Sequence, residues 1–352
     1  MSDDIGFGVI GLGMGKHHCM AIDKAPGARL VGVCDLDEER LKPVAEKYRC
    51  RAYTDYSTLL ADDDVQVVNI ATPSGSHAEI GGAAAAAGKH LIVEKPADIT
   101  PARIEQLIEA VQRYGVKAAG IFQSRLDPLN NRIRTAIQEE KLGRLIGVHG
   151  HLPWYRAQSY YDGPHGSWKG TWDMDGGGSC MNQGVHTVDL LQWLAGRVKG
   201  VMAMFGVFAH DIEAEDQTVA LLRFESGALG TLYTTTCCYP GYDQRITLYG
   251  SHGSITKDEG LLNSWRLVSD SERVEEQEML ALFGGDRHKA SGAADPMAVS
   301  FDGHTQIVAD MVAAIAEDRE PLITLDSARH AVEIIHAIYE SGRLGREVTV
   351  RR

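Results

Sequence analysis

Residues 5–16 read Ile5-Gly6-Phe7-Gly8-Val9-Ile10-Gly11-Leu12-Gly13-Met14-Gly15-Lys16. The first six are β-rich and nearly continuous in apolar character, as in a strand buried on both faces. The glycines that follow open a helical pattern over Lys16–Ala25. A glycine-rich turn between a strand and a helix is the setting of a dinucleotide fingerprint. Gly11 allows the tight turn, and Gly13 lets the backbone approach a pyrophosphate on the helix N-terminus. The third glycine is due at position 16, where Lys16 stands, so the match is imperfect, with Gly15 one place early.

Working outward, apolar runs recur at Arg29–Cys34, Val65–Ala71, His90–Val93 and Val116–Ile121. Helical patterns at Glu38–Tyr48, His77–Ala87 and Pro101–Tyr114 separate them. Gly27, Gly88 and Gly115 follow helices at left-handed capping positions, and Thr100-Pro101 reads as an N-cap with proline at the first helical position. Such alternation implies a parallel sheet with helices on both faces. Beyond about residue 125 the pattern changes. A helix is expected from Asp127-Pro128 to Glu140. Longer alternating runs follow at Leu145–His151, Val201–Ala209, Thr218–Phe224, Ala228–Thr236 and Arg245–Tyr249, and late helices at Gln306–Ala316 and Asp326–Gly342. The expected fold is α/β: a Rossmann domain over residues 1–124, then an α/β domain over 125–352 with a mostly antiparallel sheet. The late helices are candidates to pack back on the first domain.

Composition narrows the function. The 352 residues carry 35 Lys and Arg against 48 Asp and Glu, a net charge of −13. An acidic chain with no basic run is a poor partner for nucleic acid or anionic lipid. No apolar stretch approaches the roughly 20 residues of a membrane span. The acidic start, Ser2-Asp3-Asp4, lacks the positive charge of a secretory signal. The six cysteines form no C-x-x-C pair, so reduced thiols in a cytoplasmic setting are expected, with no metal site.

Three further groups carry chemistry. Asp35 ends the second run, 22 residues after Gly13. A carboxylate there accepts hydrogen bonds from the adenosine ribose and repels a 2′-phosphate, favouring NAD over NADP. Arg40 lies near enough to temper that preference. Lys95, in Glu94-Lys95-Pro96, follows a strand whose end points into the ligand crevice. Gly176-Gly177-Gly178 precedes Asn182 and His186. If Cys180–Leu194 is a helix, these two share a face and Asp189 lies near it, an arrangement open either to a general base or to a satisfied core histidine. The segment Tyr155–Asp175 is long, aromatic and aperiodic, as functional loops often are.

Together these residues resemble the Gfo/Idh/MocA family of oxidoreductases. The resemblance rests on Gly11-Leu12-Gly13 with His18, on Asp35, and on Ala71-Thr72-Pro73 with His77. It extends to Glu94-Lys95-Pro96, to Gly176-Gly177-Gly178 through His186, and to Phe224–Ala228 and Gly250–Ser254. It implies hydride transfer between NAD and a hydroxyl or ketone of a sugar, cyclitol or sugar derivative, with a homodimer or homotetramer formed through the second sheet. It implies Lys95 and His186 as catalytic residues, with Asn182 standing where many members carry Asp. On the cofactor side it implies Gly11, Gly13, Met14, Asp35, Thr72, Pro73, His77, Glu94 and Lys95, with Gln123 near the nicotinamide. For substrate, Trp154, Tyr160, Trp168 and Trp172 offer stacking faces, and Arg125 and Arg156 offer cationic donors, beside Lys95, Asn182 and His186. Two rival functions on the same fold are an NAD-dependent glycoside hydrolase and a non-catalytic NAD-sensing regulator.

Overall fold

The structure, a computed structural model, describes residues 4–163, 166–285, 293 and 302–351. They divide into two compact units. The first unit holds residues 4–123, 173–175 and 302–329, and the second holds the remaining described residues. The division is therefore not a single cut in the sequence.

The first unit is built on a six-stranded sheet: β1 (Ile5–Ile10), β2 (Ala28–Cys34), β3 (Arg51–Tyr53), β4 (Val67–Ile70), β5 (His90–Val93) and β6 (Ala118–Gly120). Their order is β3-β2-β1-β4-β5-β6, and every pairing is parallel. The strand order reverses direction between β1 and β4, and ligand crevices of open α/β sheets form at such a point. Val9, Val33, Val67, Val68, Ile70, Leu91, Ile92 and Val93 are all buried, which explains the unbroken apolar runs. Thr100 caps the helix Pro101–Tyr114 by accepting from the Arg103 amide, and Gly115 closes it in the left-handed region. The short edge strand β3 and the helix Tyr56–Leu60 escape the sequence pattern. β3 is three residues long and largely exposed, so it has no apolar run to read.

The second unit carries an eight-stranded sheet: β7 (Leu145–Pro153), β8 (Val198–Gly206), β9 (Gln217–Phe224), β10 (Leu229–Thr235), β11 (Arg245–Gly250), β12 (Gly253–Asp258), β13 (Leu261–Leu267) and β14 (Val348–Thr349). The order is β13-β12-β11-β7-β10-β9-β8-β14, antiparallel except for β7 with β10. In β9 buried and exposed residues alternate, so Thr218, Ala220, Leu222 and Phe224 face the core while Val219 and Leu221 face outward. The segment expected as one helix over Cys180–Leu194 is corrected. Ser179–Gln183 forms a wider π-type turn, and the α-helix runs from Val185 to Ala195. Gly184 between them supplies the N-cap. Asn182 thus precedes the helix that carries His186 in its first turn.

Candidate active site

In the first unit the chemistry gathers at the C-terminal ends of β1, β2, β4 and β5. Gly11 has φ +87, and a β-carbon there would lie 2.6 Å from the Ala71 carbonyl oxygen, so no other residue fits the turn. A β-carbon on Gly15 would approach Val9 Cγ1 to 2.9 Å and Ala71 Cβ to 3.6 Å. Gly15 therefore supplies the close helix–strand packing that the sequence pattern assigned to position 16. The Asp35 carboxylate accepts from the Leu12 amide at 2.6 Å and from the Asp37 amide at 2.9 Å, which fixes it beside the glycine turn. The N-cap of the following helix is Asp37, so Asp35 is not spent as a helix cap. A β-carbon on Gly13 would meet nothing nearer than an Arg40 guanidinium nitrogen at 4.0 Å, and Met14 is exposed. The turn thus presents free backbone to a ligand.

Glu94 is buried at the end of β5. Its Oε2 accepts from the Lys95 amide at 2.9 Å, and its Oε1 stands 2.8 Å from His18 Nε2 and 3.3 Å from His304 Nε2. The Asn69 amide faces His18 Nδ1 at 2.9 Å, so His18 donates from Nε2 to the carboxylate. Burial pushes the Glu94 carboxyl up, but hydrogen bonds from His18 and His304 outweigh it and hold the group well below its ordinary range. Burial lowers His18, and it drives His17 to about 4, helped by the charges of His304 and His18. The result is an ionised carboxylate beside His18, whose burial disfavours its charged form. It clamps the backbone of Lys95, whose peptide to Pro96 is cis. His77 is also buried: its Nδ1 faces the Pro96 carbonyl at 2.8 Å and its Nε2 the Thr72 carbonyl at 2.9 Å. It braces the two strand-end loops. Thr72 and Pro73 are half-buried, and the Thr72 hydroxyl oxygen accepts from Ser76. Gln123 is half-buried against Gly303 in the helix Asp302–Ala316, and its Oε1 has no hydrogen-bond partner among the described residues. Asn69 and His304 were not legible as site residues. Asn69 lies inside an apolar run, and His304 lies before the expected start of the late helix.

In the second unit, buried Glu215 organises the segment leading to His186. Its Oε1 accepts from the amides of Gly178 and Cys180, at 3.0 and 2.9 Å, and from the Tyr339 hydroxyl at 2.7 Å. Its Oε2 accepts from the Ser179 hydroxyl at 2.6 Å. Asn182 is buried within the turn, and its Oδ1 accepts from Gln183 Nε2. His186 is half-buried. Asp189, expected near the His186 face, instead forms a two-pronged pair with Arg125, Nε to Oδ2 at 2.8 Å and Nη2 to Oδ1 at 2.5 Å. Both side chains are buried. Arg125 is accordingly bound inside its own unit rather than presented to a substrate.

The aromatic segment is more engaged than its sequence suggested; residues 164 and 165 of it lie outside the described set. Arg156 is buried, and its Nη1 donates to the carbonyls of Tyr155 and Ala293 at 2.7 and 3.0 Å. Its guanidinium lies over the rings of Trp154 and Tyr160, and Lys169 Nζ sits 3.7 Å from the Tyr160 ring centre. Arg156 therefore clasps its own loop instead of offering a free cation. Trp172 packs edge-on against Phe205 and Tyr339, with Arg343 over its face. Trp168 remains half-buried.

Residues 5–121 match the sequence profile of an oxidoreductase family with an NAD-binding Rossmann fold, and residues 130–256 match the GFO/IDH/MocA C-terminal domain. The chain belongs to the Gfo/Idh/MocA oxidoreductase family. Among curated relatives, myo-inositol 2-dehydrogenase of Thermotoga maritima is 28% identical over 71% of this chain and 74% of its own length. Levoglucosan dehydrogenase of Pseudarthrobacter phenanthrenivorans is 25% identical over 89% and 90%. Among solved structures, the WlbA dehydrogenase from Bordetella pertussis, in complex with NADH and UDP-GlcNAcA, is 29% identical, with a TM-score of 0.86 over 99% of each chain.

This Gfo/Idh/MocA member is an NAD-dependent dehydrogenase, and its first unit fits the cofactor. The open backbone at Gly13 and the first turn of the helix Gly15–Lys24 would hold a pyrophosphate, and the anchored Asp35 carboxylate an adenosine ribose.

Proposed function

We propose that the protein interconverts a secondary hydroxyl and a ketone on a sugar, cyclitol or nucleotide-linked sugar. Bound NAD supplies the acceptor for the hydride leaving the substrate carbon. Lys95 hydrogen-bonds the reacting oxygen and stabilises charge developing on it. His186 takes the hydroxyl proton, and Asn182 orients the turn ahead of it. The observation that carries the reading is the buried Glu94 clamp. A carboxylate held by His18 and by the Lys95 amide fixes the lysine at the C-terminal end of β5, on the side of the sheet that holds the glycine turn and Asp35. The relatives' substrates, inositol, levoglucosan and a UDP-linked sugar acid, define the panel to try.

The outward face of the second sheet exposes Met202 opposite Leu221 and Met204 opposite Val219 on β8 and β9, together with Leu229 on β10. We propose that a second copy of the chain covers this face, as sedimentation of the purified protein can test. All six cysteines stand free, which supports a reducing, cytoplasmic setting.

The direct test is NADH formation across that panel, with NAD binding measured separately. Lys95→Ala and His186→Ala should each lower turnover by about 10²–10⁴-fold while leaving NAD affinity within a few fold. Near-normal turnover in both variants defeats the assignment. Glycoside cleavage without net NADH would indicate a hydrolase instead.

A further inference from the structure

We propose that His210, Asp216 and Cys237 form a binding site for a thiophilic divalent cation of the zinc class. The cluster lies wholly in the second unit and stands independently of the catalytic assignment. His210 Nδ1 is 3.0 Å from Asp216 Oδ2 and 3.8 Å from Cys237 Sγ, and the three donor atoms lie within 4.8 Å of one another. Imidazole nitrogen, carboxylate oxygen and thiolate sulfur are the ligands that zinc takes. Bonds of about 2.0–2.3 Å in a tetrahedral site separate neighbouring donors by roughly 3.4–3.6 Å. The two distances from His210 Nδ1, 3.0 Å to Asp216 Oδ2 and 3.8 Å to Cys237 Sγ, lie within a few tenths of an ångström of that range.

The surroundings prepare each ligand. His210 Nε2 faces the Arg156 carbonyl at 2.8 Å. A carbonyl can only accept, so Nε2 carries a proton and donates it, and Nδ1 is the nitrogen turned toward Asp216 and Cys237. Metal-ligating histidines are oriented by this same outer contact. The Asp216 carboxylate is fully buried and held by three backbone amides, Phe208 on Oδ1 at 2.8 Å and Ala209 and His210 on Oδ2 at 2.9 and 3.0 Å. Cys237 is anchored by its amide donating to Thr235 Oγ1 at 3.0 Å. The Tyr161 ring lies 5.0 Å from that of His210. The buried cluster His18–Glu94–His304 differs, because the Asn69 amide already faces His18 Nδ1 and Nε2 donates to the carboxylate.

Zinc takes imidazole through an unprotonated nitrogen and cysteine as thiolate, so binding is accompanied by proton release. The cation would tie the loop before β9 to the residues just after β10. Through the Arg156 carbonyl it would also reach the segment that follows β7.

The experiment titrates chelator-treated, reduced, full-length protein with Zn²⁺, measuring metal stoichiometry and proton release, and in parallel with Co²⁺, recording the thiolate-to-cobalt charge-transfer band. One equivalent should bind, with proton release accompanying it. The band should appear in wild type and in Cys238→Ser. It should vanish in Cys237→Ser, which should weaken Zn²⁺ binding at least tenfold, and His210→Gln should weaken it similarly. Absence of stoichiometric binding overturns the proposal. So does unchanged affinity in Cys237→Ser, or loss of the band in Cys238→Ser.

Discussion

Replacing Glu215 with alanine tests whether one buried carboxylate holds the turn that leads to His186. The change removes the acceptor of four donors: the amides of Gly178 and Cys180 and the hydroxyls of Ser179 and Tyr339. Ser179 has a second partner in Thr234, at 3.1 Å to Oγ1, so its loss is small. The two amides cannot turn elsewhere. Each buried amide left without an acceptor costs about 1–3 kcal/mol, which gives roughly 2–6 kcal/mol for the pair. That is a large part of the 5–15 kcal/mol typical of a whole domain. Glu215→Gln keeps Oε1 for three of the donors and points an amide at the Ser179 oxygen, so it should lose less than about 1.5 kcal/mol. Urea unfolding followed by tryptophan emission suits the test, because Trp172 packs on Tyr339 at 5.0 Å. A loss below about 1 kcal/mol in the alanine variant, or equal losses in the two variants, would refute the reasoning. The pH dependence gives a second check. Burial pushes the Glu215 carboxyl above its ordinary 4.5, so the native state holds that proton more tightly than the unfolded chain does. Its contribution to stability is full below 4.5 and is lost as pH rises through the raised native value. Glu215→Gln should flatten that slope.

Other outcomes follow from the same geometry. Wild type should prefer NAD, and Asp35→Ser should narrow the gap by about 1–3 kcal/mol in relative kcat/KM; equal use of NADP by the wild type would contradict the role given to Asp35. Gly11→Ala should abolish NAD binding in calorimetry, since its β-carbon collides with the Ala71 carbonyl. Arg125→Met should destabilise the second unit by about 3–5 kcal/mol by leaving Asp189 buried and unpaired, and Arg125→Met with Asp189→Leu should recover much of this in a denaturation series.

The parallel sheet was legible because burial on both faces leaves unbroken apolar runs, and because Thr100-Pro101 and Gly115 mark helix ends by their own local chemistry. The alternation in β9 likewise announces a sheet with one face free. Asp35 could be singled out because its distance from the glycine turn is fixed by the length of a strand–helix unit, and Glu94-Lys95 because it follows a strand whose end points into the ligand crevice. What escaped depends on contacts remote in sequence. Nothing near Glu215 signals that it will receive two amides from the glycine segment some 35 residues earlier. Arg125 and Arg156 looked like available cations because a sequence displays charge but not the carboxylate or carbonyls that will occupy it. The break at Gly184 was hidden by apolar residues that continue the helical period through a wider turn.

The discontinuous first unit bears on how the protein is made. His304 reaches Glu94 from the helix Asp302–Ala316, and the two residues are 210 apart in sequence. At about 5–20 residues per second, roughly 15–60 seconds separate synthesis of His18 from that of His304. During that interval the nascent nucleotide-binding sheet lacks a helix that covers it, and Glu94 lacks one of its two histidines. The growing chain is therefore expected to expose the apolar surface that this helix covers, and cofactor should load only after the helix has been added.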